Sequence, residues 1–448
     1  MLKKLRLVPI FLAFVLALAA CSGGGSSNGG GGSEGSGSDT DNGSSTNNST
    51  EEDTSGSKEK VTLVWAHGKD ESGETEKIIK EFEKKYPNIN VKNRNLPNNS
   101  GKQHDLYVTQ LSAKSSDIDV FNLDVVWPAE FAQAEYVLPL DRFIQQSGFD
   151  LSKFNQGALS AAQFKGKQWA LPLFTDVGML FYRKDIVKQA PETWDELIEM
   201  AKKHKGEKGT EFGYVYQAKQ YEGLVCNIIE YVASNGGQFI KDGKVVVDSE
   251  GTLKGIKTMA QITQSDFVPG NITTFTEPET NQAFINGKSV FARNWPYMWA
   301  TSQDESKSKV AGKVGIAPLP AGTKGSAASL GGWMIGINKY SKHKQAAWKF
   351  VKFTAGMNGQ KIRAVVGGKI PAIPSLLKDE DVLKANPYFG KEGFQNAVKS
   401  AVSRPVAPNY QKISSIIQIE VSGAISGKET PEQAVKNLKK KLQDAVQQ

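Results

Sequence analysis

The four histidines and two cysteines of this chain could in principle hold a metal ion, but their spacing does not allow it. His67, His104, His204 and His343 form no pair at ligand spacing and no HExxH, and Cys21 and Cys226 cannot make a CxxC site or a disulfide framework. A Walker-type phosphate loop and a GxSxG nucleophile elbow are also absent, and the long Gly clusters lie in residues 22–57. No metal or cofactor is expected. Two carboxylates flanking a bond would suffice for glycoside hydrolysis, but chain spacing does not mark such a pair. Asp124 stands out because it closes the apolar run Ile118–Leu123. In open α/β sheets ligands sit outside the carboxyl ends of the strands, where the loops splay apart. Asp124 can therefore accept a hydrogen bond from a ligand, or cap the helix that follows. His67 to Glu71 stand at a second such end.

The elements that position these residues follow from hydrophobic period. Val61–Trp65 reads as a buried strand, and Ile78, Ile79, Phe82 and Tyr86 share one helical face until Pro87. A strand near Ile89–Leu96, a helix over Asp105–Ala113 and the run before Asp124 complete βαβαβ, which implies a parallel sheet flanked by helices. Pro128 suits the first turn of the next helix. Trp169–Leu173, interrupted by Pro172, reads as a crossing between two lobes. Beyond it come a strand over Gly178–Arg183, a helix opened by the capping box Thr193–Glu196, a turn at Val245–Val247, and a helix end at Phe284–Lys288 leading into a strand. Two strands, Val314–Pro320 and Gly331–Asn338, are expected to return to the first lobe. An amphipathic helix follows around Ala346–Phe353, and the last 80 or so residues are mostly helical.

With 448 residues, 39% hydrophobic and 23% charged, the chain can form two or three ordered domains. Removing Lys3, Lys4 and Arg6 with an export signal lowers the formal charge from +8 to +5, and no basic-aromatic motif accompanies it. No nucleic-acid partner is expected. Those three cations precede the apolar run Leu7–Ala20, too short for a membrane span, and residues 1–20 read as a signal peptide. Leu18-Ala19-Ala20-Cys21 resembles the lipobox of bacterial lipoproteins, in which an acylated cysteine anchors the protein outside the cytoplasm. Residues 21–60 would then be a lipidated (palmitate-type) Cys21 and a flexible tether reaching roughly 30 to 36 Å. The expected location is the outer face of the cell membrane.

Several short segments occur together and in order: Glu81–Pro87 before a strand, Ser115–Val120 before Asp124, Leu138–Asp141, Phe181–Asp185, Thr193–Leu197, Phe284–Lys288, Ala317–Pro320 and Gly331-Gly332-Trp333. As a set, running from Val61 to about Val446, they resemble the family 1 extracellular solute-binding proteins of ABC importers, in particular the maltose and trehalose/maltose group. The resemblance implies an α/β, two-lobe periplasmic-binding-protein-like fold (type II). Each lobe would hold a mostly parallel sheet flanked by helices, with a hinge between them. The first lobe would take residues 61–172 and about 320–360, the second about 173–319 and 361–448. It also implies a monomer that captures an oligosaccharide or related glycoside, breaks no bond in it, and hands it to the transmembrane subunits of an ABC permease.

A pyranose has apolar C–H faces and a fringe of hydroxyls, so it calls for aromatic plates with carboxylates and amides at their edges. Trp295, Tyr297, Trp299 and Trp333 are candidate plates, and Glu71, Asp124 and Asp176 candidate acceptors. Carried across residue by residue, the resemblance implies acceptors at Glu71 and Asp124 in the first lobe and at Asp176, beside Phe174, in the second. It also implies a stacking pair at Trp295 and Tyr297 and a loop at Gly332-Trp333. Arg404, in Ser403-Arg404-Pro405, matches an arginine that donates to hydroxyls or orients a carboxylate. Where relatives carry an arginine after the second strand, this chain has Gln103 and His104. Trp65 and Trp348 read as core and Trp194 as helix-start packing, while cleft roles for Trp127 and His67 stay open. The rival readings are a secreted carbohydrate-active enzyme and a binder of a non-sugar solute such as a polyamine.

Overall fold

In a computed structural model, residues 60–447 are described apart from positions 406 and 408, so the signal peptide, Cys21 and most of the tether lie outside the described residues. Strands β1 (Val61–Gly68), β2 (Ile89–Leu96) and β3 (Val120–Asp124) form a parallel core with β1 in the middle. The alternation along them explains why both faces are covered. On β1, Leu63 and Trp65 join Ile78, Phe82 and Phe350 on one side of the sheet, while Ala66 joins Tyr107, Leu111 and Phe131 on the other. Helix Glu74–Lys85 supplies Ile78 and Phe82, as its apolar spacing predicts.

β4 (Leu171–Val177) and β5 (Met179–Arg183) are separated by one residue yet belong to different sheets. β4 stays in the first sheet as far as Val177, so the chain changes sheet at Gly178 rather than in the expected crossing Trp169–Leu173, and Phe174 and Asp176, expected in the second lobe, stand on the first sheet. Proline fits here because the pairing is interrupted: the register shifts between Trp333 and Met334, opposite Phe174 and Pro172.

The second sheet takes β5, β6 (Phe212–Val215), β7 (Ser289–Asn294) and β8 (Val314–Ala317) in the order β8-β5-β7-β6. Its pairing is mixed, antiparallel at β8/β5 and β5/β7 and parallel only at β7/β6, so the mostly parallel sheet expected for each lobe is not found here. It also corrects a second expectation. Val314–Ala317 does not return to the first lobe; it pairs with Leu180–Arg183, and only β9 (Ala328–Ile337) goes back, lying antiparallel to β3 and β4. A short β10 (Ala401–Val402) pairs with the start of β9.

The second lobe's core gathers Phe181, Tyr214, Leu224, Ile228 and Phe291 with Ile413, Ile417 and Leu438 from helices Tyr410–Ile425 and Pro431–Val446. Helix Trp194–His204 starts as expected, with Thr193 accepting from Glu196 N. The reciprocal arm differs: Glu196 accepts from Glu192 N rather than from the N-cap itself. Among the described residues no helix is long and apolar enough to cross a membrane.

Candidate functional site

The carboxyl ends of β1 and β3, the β4–β5 crossing, and the segments after β7 and at β9 converge on one cleft. Glu71, Asp124, Phe174, Asp176, Trp295, Tyr297, Gly332, Trp333 and Arg404 all line it. The loop after β1 is fixed by Asp70, whose carboxylate accepts from Ser72 N and Thr75 N and so starts helix Glu74–Lys85. Glu71 is left exposed at the rim, 3.6 Å from Lys69.

Gly332 lets β9 approach β4. Its φ is +134°, and a Cβ there would sit 2.7 Å from the Phe174 carbonyl oxygen. At Gly331 a Cβ would fall 2.9 Å from the Trp295 ring, so the missing side chain makes room for the indole. Trp295 is held from three sides. The Arg293 guanidinium lies 4.1 Å from its ring centroid, its Nε1 donates to Glu277 Oε1 at 3.2 Å, and its backbone N donates to Asn294 Oδ1 at 2.9 Å. Arg293 is in turn bound by Glu230 and by Gln217 Oε1, all in the second-lobe interior.

Asp124 lies at the end of β3, as expected, but Arg404 occupies it. Arg404 Nη2 donates to Asp124 Oδ1 at 2.6 Å and Nη1 to Glu222 Oε1 at 2.8 Å, and Glu222 also accepts from Tyr410 and Ser414. A 3.4 Å approach from Val126 N to Asp124 Oδ1 adds a weak capping contact. Of the two roles implied for Arg404, orienting a carboxylate is the geometry present. Burial pushes the Glu222 carboxyl up, opposed by Arg404.

Asp176 is 5% exposed, and its Oδ1 has no hydrogen-bond partner. Burial pushes its carboxyl up to about 7, with Lys369 as the largest opposing charge. On the first-lobe side, Glu74 pairs with Arg363 through Nη1 at 3.2 Å while its Oε2 stays unpartnered. Gln103 Oε1 is unpartnered too, and both Gln103 and His67 line the cleft. Burial pulls the His67 imidazole down to about 4. Unsatisfied buried polar atoms facing a cleft are the ones a polar ligand can complete. His104 and Trp127 do not line it: His104 pairs with Glu130, and Trp127 stacks on Phe131.

Trp299 departs from expectation. It is no cleft plate; its ring tilts against Tyr388 and its Nε1 donates to Ala385 O, so it packs behind the second-lobe core. Trp65 is buried core as read, though it also lines the cleft, and Trp348 and Trp194 are likewise packed. Sequence reasoning missed Glu222, Glu277, Arg363 and Lys369, which also line the cleft. Only Lys369 carried a local signal, a lone cation in the punctuated run Gly367-Gly368-Lys369-Ile370-Pro371.

A sequence profile described as "Bacterial extracellular solute-binding protein" matches residues 66–361. Over 376 residues the chain is 38% identical to a protein of Deinococcus radiodurans described as a probable ABC transporter-binding protein, covering 79% of this chain and 86% of that one. It is 27% identical over 355 residues to a probable amino-acid ABC transporter periplasmic-binding protein of Sinorhizobium fredii, covering 76% and 80%. Among solved structures it superposes on maltose-bound MalE3 of T. maritima with a TM-score of 0.81 and 38% identity, over 86% of this chain and 100% of that one. The two-lobe fold expected from sequence is the fold of this solved relative.

Proposed function

The chain belongs to the bacterial extracellular solute-binding protein family, and we propose that it captures an oligosaccharide or related glycoside in the cleft and delivers it, chemically intact, to an ABC permease. The reading rests above all on Trp295. With one face covered by Arg293 at 4.1 Å and its Nε1 tied to Glu277, the indole is fixed in place and keeps its remaining surface for the cleft it lines. Such a rigid plate suits the C–H face of a pyranose. Phe174, Tyr297 and Trp333 add aromatic surface, and Asp176 and Gln103 bring unpartnered polar atoms for hydroxyls. The maltose carried by the MalE3 relative belongs to this ligand class.

The chain changes sheet at Gly178, and a hinge between the lobes would include that crossing. Closure follows if the sugar binds the closed arrangement better than the open one, since equal affinity would shift nothing. A micromolar ligand supplies about −8 kcal/mol, within reach of a few stacked rings and several charge-assisted hydrogen bonds. An acylated Cys21 would keep the monomeric body near its permease.

A thermal-shift screen with maltose, maltotriose, trehalose, ribitol, glutamate and spermidine tests the reading, because a ligand selective for the folded form raises the melting point. Stabilisation by a saccharide is expected. Stabilisation by glutamate or spermidine alone would overturn the sugar assignment, and glucose released from maltotriose on incubation would replace the carrier role with an enzyme.

A further inference from the structure

The cations of the cleft wall differ in what they already hold. Lys69 lies 3.6 Å from Glu71, Arg363 pairs with Glu74 at 3.2 Å, and Arg404 pairs with Asp124 and Glu222 at 2.6 and 2.8 Å. Lys369 is the exception. Among the described residues no carboxylate lies within ion-pair distance of its ammonium; instead Nζ stands 4.8 Å from the Phe174 ring centroid and 4.7 Å from that of Tyr297. Its backbone is fixed as well. Thr175 N donates to Ile370 O at 2.9 Å, which bridges the segment to β4 between Phe174 and Asp176.

From this placement we propose that Lys369 grips the ligand, donating from its ammonium to one hydroxyl of a sugar unit while Asp176 accepts from a neighbouring hydroxyl of the same unit. The inference rests on the sugar reading and specifies the ligand: a unit with an intact vicinal diol at this end of the cleft. Three observations support it. An ammonium offers three donors, and two aromatic faces attract it without using them. Asp176 Oδ1 is buried, unpartnered and lines the same cleft, so an acceptor waits beside a donor. Asp176 and Glu74 are the carboxyls whose protonation Lys369 opposes most strongly after burial and, for Glu74, after Arg363, which places all three in one electrostatic neighbourhood. A free ammonium and a buried, unpartnered carboxyl lining one cleft leave a donor–acceptor pair for hydroxyls.

Calorimetric titration with maltose, or with whichever saccharide of the thermal screen binds, tests the proposal on wild type, Lys369→Met, Lys369→Arg, Asp176→Asn and the Lys369→Met/Asp176→Asn double variant. Lys369→Met keeps a long apolar stem between the rings and removes only charge and donors. The expected Kd increase is about tenfold or more, the loss of one charge-assisted hydrogen bond, with partial recovery in Lys369→Arg. The double variant should lose less than the product of the single losses, because both groups hold one sugar unit. A Kd for Lys369→Met within about twofold of wild type overturns the role. So does a loss that disappears once Kd is corrected for the folded fraction of the ligand-free variant, since that would make Lys369 a brace for the rings. Wild-type protein that binds no saccharide overturns the sugar reading itself, and the role of Lys369 with it.

Discussion

Arg404 and Asp124 are 280 positions apart in the chain and share a buried ion pair of 2.6 Å. Asp124 ends a first-lobe strand, and the other arm of Arg404 reaches Glu222 at the start of a second-lobe helix, so one guanidinium ties the two halves together beside the cleft. Asp124 was legible as a strand-end carboxylate. Arg404 was picked out only through the resemblance, and its pairing with Asp124 was not read, because long-range pairing leaves no periodic trace in sequence.

Removing Arg404 would strand two buried carboxylates. Arg404→Met should cost about 3 to 5 kcal/mol of unfolding free energy, far more than an exposed pair, because the residual charges stay desolvated. Urea titration measures it. A loss below about 1 kcal/mol would mean that Asp124 and Glu222 find water or each other's proton instead.

Asp176 gives the stability a pH dependence whose sign is fixed. Its folded-state pKa is raised from 3.8 to about 7, so the native protein binds the proton more readily than the unfolded chain between those values. Its contribution therefore improves as pH falls from about 7 toward 4 and worsens as pH rises through 7. His67 runs the other way: its pKa is lowered from 6.5 to about 4, so stability is lost as pH falls from 6.5 toward 4. Because the two slopes oppose each other, the wild-type profile alone cannot separate them. Asp176→Asn should raise stability at pH 8 relative to pH 5 compared with wild type, as read from melting temperatures at the two pH values. An unchanged difference would place Asp176 in a wetter setting than its burial implies.

What the sequence disclosed depended on the range of the forces involved. The βαβαβ order and the helix start at Thr193 rest on local period and punctuation, and these were readable in residues 61–204; the change of sheet was not, because Pro172 sits in a strand that keeps its first-sheet pairing as far as Val177. The destination of Val314–Ala317 was not. A four-residue apolar run pairs equally well with either sheet, and only the distant Leu180–Arg183 edge settles it. At the site, the aromatic and acidic residues gathered by resemblance all reached one cleft, whereas Lys369, Glu277 and Glu222 became visible only through their three-dimensional neighbours.

Trp299 offers the control for the aromatic plates. Lying against Tyr388 and donating to Ala385 O, it serves packing, so Trp299→Ala should cost about 2 to 4 kcal/mol of stability and leave sugar affinity unchanged at a temperature where the variant is folded. A selective loss of affinity in calorimetry would return it to the ligand.

Trp295 should behave differently, and not as a ring that merely faces solvent. Arg293 packs on one face, Glu277 accepts from its edge, and Gly331 makes room for it, so Trp295→Ala both opens the cleft wall and uncovers a buried guanidinium. Some loss of stability is therefore expected with the loss of binding, and the alanine variant alone does not separate the two. Trp295→Phe keeps an apolar ring over Arg293 but gives up plate area and the Nε1 donor. It should weaken saccharide affinity about tenfold while the melting point of the ligand-free protein stays close to wild type. A phenylalanine variant that binds as tightly as wild type would show that Trp295 supports the wall while another ring carries the sugar, with Trp333 the next to be replaced.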